Sequence, residues 1–202
     1  MSEEHDTVLD AFRSIEDKNA LAWSVLDTKS ELFVSAAIAL SANRRARRRI
    51  AHVEYPPRVD LVLVDEQGRP AHAYLAKAGY LTDFQPARIQ RRDPYLGLCL
   101  DDDIPKEQGL CTQLGPSVRG SALFYLYEVS PPSRQMKYGK VPPVSLSVAM
   151  ETLPLFVSRA SLIAHEFIDC GHADGADVRI HLYVFDPTAS DAGTVRAQPR
   201  RA

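Results

Sequence analysis

From Leu61 to Val64 the segment VDLVLVD runs through four consecutive apolar residues, all with strong strand character and with no polar alternation. A strand with one face in water alternates polar and apolar side chains. An unbroken apolar run means that both faces are covered, and the usual cover is helices. This short segment therefore commits the chain to an α/β sandwich, with helices on each side of a sheet.

The neighbouring sequence supplies the rest of the layers. IAHVEYPP reads as a short strand stopped by two prolines, and EQGRP is a turn leading into AHAYLAKAGY, so three strands form a meander. Ahead of them, Val8, Leu9, Phe12, Ile15 and Leu21 recur at helical spacing and predict one amphipathic helix over Thr7 to Trp23. Thr28 and Glu31 form a capping box that opens a second helix, which runs to the cluster Arg44 to Arg49. After the meander, DDDIPKEQGLCTQLG predicts a helix ended by Gly115, and SALFYLYEV, Ser121 to Val129, a strand. SLSVAMETLPLFVSRASLIAHEFIDCG is helical in pattern, with Pro154 kinking or splitting it. HLYVFD, His181 to Asp186, closes a mixed sheet. A single domain over 1–186 and a disordered tail over 187–202 complete the expectation.

Composition narrows the function classes. With 202 residues, 45% hydrophobic, and a formal net charge of -2, the chain has no overall basic field to draw it to DNA or an acidic membrane. No apolar run approaches the roughly 18 residues of a membrane span, and MSEEHDTVLDAF is too acidic for a signal peptide. Cys99, Cys111 and Cys170 are odd in number and lack CxxC spacing, which reads as reduced thiols in a soluble, cytoplasmic protein.

The meander also carries chemistry. Hydrolysis of a phosphodiester needs carboxylates to hold divalent ions and a cation beside the charged phosphorus centre. Antiparallel pairing brings Asp60, at the start of one strand, near Lys77, at the end of the next. Leu75 and Lys77 share a strand face. The succession of a helix with Glu31, then Glu54, PPRVDLVLV, LAKAGY and a helix opening DDDIP resembles the PD-(D/E)XK nuclease superfamily, the restriction-endonuclease-like fold, over residues 27–129.

That resemblance implies a central mixed sheet flanked by helices, with Mg2+ as cofactor and DNA as substrate. Asp60 would be the metal-binding acid, with Pro57 three places before it, and Lys77 the motif lysine. Glu31 would be the helical glutamate that some members add, and Glu54 is a further candidate ligand at a strand end. Leu75 departs from the pattern, standing where the second metal-binding acid belongs. Leucine binds no metal, so the resemblance implies a non-cleaving module for nucleic acid or a protein partner. An active Mg2+-dependent endonuclease would need Glu31 or Glu54 as the substitute acid. Asp83 follows the strand on a separate segment and carries less weight.

Three weaker signals accompany it. Arg44, Arg45, Arg47, Arg48 and Arg49 offer charge for phosphates, although cations at a helix end also complement its dipole. His165, Cys170 and His172 have zinc-binding chemistry without a fourth ligand at a known spacing. Tyr125 and Tyr127 share a strand face and could stack on bases, but strand packing already accounts for them.

Overall fold

The computed structural model describes residues 2–27, 31–56, 58–84, 108–131, 143–153, 157 and 160–187. Helix α1 spans Glu3–Arg13, capped by Ser2 and carrying Glu3, Glu4 and Asp6 in its first turn, where acids complement the helix dipole. The single helix expected over Thr7 to Trp23 is two helices. Asp17 accepts the Ala20 N–H at 3.0 Å and so starts α2, Lys18–Asp27. Helix α3 is Glu31–Ala46, and Arg47, at φ 52, turns the chain out of it.

Asn43 fastens the end of α3 to the sheet. Its side chain accepts the N–H groups of Ile50 and Ala51 and donates to the Ala51 carbonyl, all within 2.9 Å. The meander follows as β1 Ala51–Tyr55, β2 Val59–Val64 and β3 Pro70–Tyr80. A 3-10 turn covers Leu81–Phe84, and residues 108–114 form helix α4. Strand β4 is Arg119–Ser130, α5 is Leu146–Thr152, and β5 Ala160–Ala173 and β6 Ala176–Pro187 are the last strands.

The six strands form one mixed sheet in the order β1-β2-β3-β4-β6-β5. β3 and β4 are parallel, and every other neighbouring pair is antiparallel. β2 meets its expectation of two covered faces. Leu61 and Leu63 belong to one buried cluster with Val8, Phe12, Val34 and Ile38 of the helices, while Val62 and Val64 belong to another with Cys111 of α4. Each such fully buried aliphatic side chain contributes about 1.5–3 kcal/mol. Phe124, Leu126, Tyr183 and Phe185 form a third cluster beneath α5.

The helix expected to continue past Pro154 is a correction. Residues 160–173 are a strand, paired with β6 throughout. Ala164, Ile168 and Cys170 belong to the core on the helix side, while His165 stacks on Tyr183 across the sheet, so the segment has a period of two. Asp174 and Gly175, at φ 44 and 73, then make the tight two-residue hairpin turn that an Asp-Gly pair favours. Gly171 adopts φ 79 beside a bulge in β5 and caps no helix. Residues 101–107 of the expected DDDIP helix, Thr28, Pro57, Cys99, and the tail beyond Pro187 lie outside the described residues.

Candidate functional site

Beyond the pair Leu61 and Tyr74, β2 parts from β3, and the freed N–H groups of β3 need acceptors. Two of the predicted acids provide them. Asp60 Oδ2 accepts the Ala76 N–H at 2.7 Å, and Glu31 Oε2, from the start of α3, accepts the Ala78 N–H at 3.0 Å. The fold thus brings Asp60, Glu31 and Lys77 to one end of β3. Tyr74, Ala76, Ala78 and Tyr80 point to the helix-side core, which leaves Leu75 and Lys77 on the opposite face, each only partly buried. Beneath the acids, the buried Tyr125 hydroxyl lies 3.0 Å from Ser35 Oγ. Burial raises its pKa, and the charges of Asp60 and Glu31 add to that shift.

Glu54 does not join them. It is exposed and has φ 48. Val53 packs with the helix-side core and Tyr55 with the opposite one, so the strand's alternation slips at Glu54. Asp83 turns back to accept the Tyr80 N–H at 2.9 Å.

The weaker signals separate as well. Arg44 donates to Glu16 at 2.7 Å and Arg45 to Asp10 at 3.1 Å, while Arg47, Arg48 and Arg49 are exposed. His165 and Cys170 lie on opposite faces of β5, and His172 pairs with Asp177 at 2.9 Å, so the three form no common site. Tyr125 and Tyr127 are fully buried and offer no face to a base.

A second polar cluster lies at the opposite end of β3. Ser121 Oγ is 2.5 Å from Asp186 Oδ1, 2.7 Å from His72 Nε2 and 3.1 Å from His5 Nε2, and His5 Nε2 is itself 3.1 Å from Asp186 Oδ1. His5 comes from α1, His72 from β3, Ser121 from β4 and Asp186 from β6. Burial pushes the His72 pKa down to about 4, and the neighbouring His5 adds to the effect. Asp186 is held below its ordinary range: burial alone would raise it, but hydrogen bonds from His5 and Ser121 outweigh that. These partners stand 116, 49 and 65 positions from Ser121, and none belongs to a motif, so no local pattern announces the cluster.

A third chain of polar groups crosses β4, β6 and β5: Glu128 Oε2 is 3.1 Å from His181 Nε2, and His181 Nδ1 is 3.2 Å from His165 Nε2. Among the described residues, no helix is long and apolar enough to cross a membrane. Comparison with family models, curated proteins and solved structures finds no match to this chain.

Proposed function

We infer that this chain is a restriction-endonuclease-like protein that binds a partner and does not cleave nucleic acid. The fold reading is supported by the order α3, β1, β2, β3, α4, β4, with β3 parallel to β4. The absence of cleavage rests on the use made of the acids. Asp60 and Glu31 each give an oxygen to a strand N–H, and Leu75 occupies the remaining ligand position. Each carboxylate thus has one oxygen committed to the backbone of β3, which favours a structural role over a shared ion.

A protein partner suits the surface better than nucleic acid. Phe33, Ala36, Ala37 and Leu40 follow i, i+3, i+4, i+7 spacing along α3 and line a groove of about 570 Å3. Phe33 and Leu40 remain 47% and 52% exposed. Arg44 and Arg45, on the rim of the groove, are already paired with acids, which weakens their pull on phosphate.

The test is a cleavage assay on single- and double-stranded DNA with Mg2+ or Mn2+, alongside calorimetry of Mg2+ binding. The native protein should neither cleave nor bind the ion measurably. Leu75→Glu should fold normally, because Leu75 is only partly buried, and should gain Mg2+ affinity. Cleavage by the native protein that disappears in Asp60→Ala would overturn this reading. A folded Leu75→Glu variant with no gain in Mg2+ binding would remove the nuclease-like site from it.

A further inference from the structure

The geometry points to a site for a divalent transition-metal ion formed by His5, His72 and Asp186, remote from the acids of the nuclease-like pattern. Among the described residues these three form the one group whose ligand atoms all lie within 4.8 Å of one another. Two ligands of a tetrahedral ion with bonds of about 2.0–2.1 Å are separated by about 3.3 Å. The 3.1 Å between His5 Nε2 and Asp186 Oδ1 already matches that, and His72 offers its ligand atom within 4.8 Å of both.

The surroundings give a second reason. Both histidines are only 2% exposed, and their Nδ1 atoms have no hydrogen-bond partner among the described residues, so the rings are held in the core through Nε2 alone. Those two Nε2 atoms and the Asp186 carboxylate converge on the Ser121 hydroxyl, and an ion beside it would be bound by the same three atoms, each imidazole ligating through Nε2 with release of any proton there.

Space is available beside it. His5, His72, Ser121 and Asp186 line a cavity of about 380 Å3 together with Cys111 and Arg119. Arg119 is tied to Glu4 at 2.6 Å, which offsets its charge near an incoming cation. On metal entry Ser121 gives up its bonds to the rings, and its hydroxyl or a water takes the fourth position on the cavity side. Two imidazoles and one carboxylate select Zn2+, Co2+ or Fe2+ over Mg2+. The site therefore stands whether or not the nuclease-like reading does.

The full chain, stripped with chelator, should be titrated with Co2+ while the visible absorption is followed, and Zn2+ then added in competition. We expect one saturable site whose spectrum indicates a four- or five-coordinate ion, displacement of Co2+ by Zn2+, and no competition from Mg2+. Zn2+ should also raise the melting temperature. His72→Gln and Asp186→Asn should each weaken Co2+ binding by at least about tenfold. Asp186 is the safer variant, since its side chain is 39% exposed and asparagine keeps the shape, so it decides the matter if His72→Gln does not fold. Absence of saturable binding, or a folded Asp186→Asn that binds Co2+ as the native chain does, would overturn the proposal.

Discussion

Asp60 accepts the Ala76 N–H at 2.7 Å at the point where β2 has left β3, so its carboxylate takes the place of a strand's carbonyl. Asp60→Ala leaves that N–H without its acceptor and should destabilise the protein by about 1–3 kcal/mol. Asp60→Asn keeps an acceptor oxygen and should lose less. Urea unfolding of the two variants measures the difference; equal losses would mean that this bond is not what Asp60 contributes.

The histidine chain makes stability depend on pH. Burial is the main force holding His181 and His165 below the ordinary imidazole range, with Glu128 opposing it at His181 and Arg179 adding to it. The unfolded chain takes up these protons near pH 6.5, before the folded chain does, so stability is full above that value and falls as pH drops through the lower folded values. Each histidine contributes at most about 1.4 kcal/mol per pH unit, and His72 adds to the same trend. Unfolding measured from pH 7.5 to 4.5 should show the decline, and His181→Gln should flatten it.

The five arginines should divide in a salt titration. Arg44 and Arg45 are paired with Glu16 and Asp10, whereas Arg47, Arg48 and Arg49 are exposed beyond the end of α3. If the protein holds DNA at all, replacing Arg47 and Arg48 should reduce the slope of log affinity against log salt by about 1.8. Replacing Arg44 and Arg45 should change it less. Equal effects from the two pairs would show that the ion pairs do not restrain those side chains.

Gly175, at φ 73, holds the hairpin between β5 and β6 in the left-handed region. Gly175→Val should cost at least about 1–2 kcal/mol, because a branched side chain is strained in that conformation. Asp174→Gly, at φ 44, should be near neutral or mildly stabilising. Thermal melts of both variants check this, and an unaffected Gly175→Val would mean that the turn can change type freely.

Much of the architecture was legible in local sequence. The apolar run of β2, the alternation and turn leading into β3, and the strand at Ser121 to Val129 all depend on residues within one element, and each formed where its pattern placed it. Residues 160–173 are the exception: SLIAHEF carries apolar residues at both helical and strand spacing. Pairing along the whole of β6 decided for the strand, and the Asp-Gly turn was the signal that could have revealed it.

The site divides in the same way. The sequence by itself determined that Asp60, Leu75 and Lys77 belong to neighbouring strands, because alternation and a short turn set that relation within about twenty residues. Only the tertiary structure decided that Asp60 and Glu31 serve β3 as hydrogen-bond acceptors, since that depends on where β2 diverges and how α3 docks. Only it, too, brought His5, His72 and Asp186 around Ser121, from a helix and strands whose order in the sheet is not their order in the chain. The physical reason is range. Alternation and turn chemistry act between residues a few positions apart, whereas a polar cluster is gathered by burial of the apolar faces that carry it, and that force is blind to sequence distance.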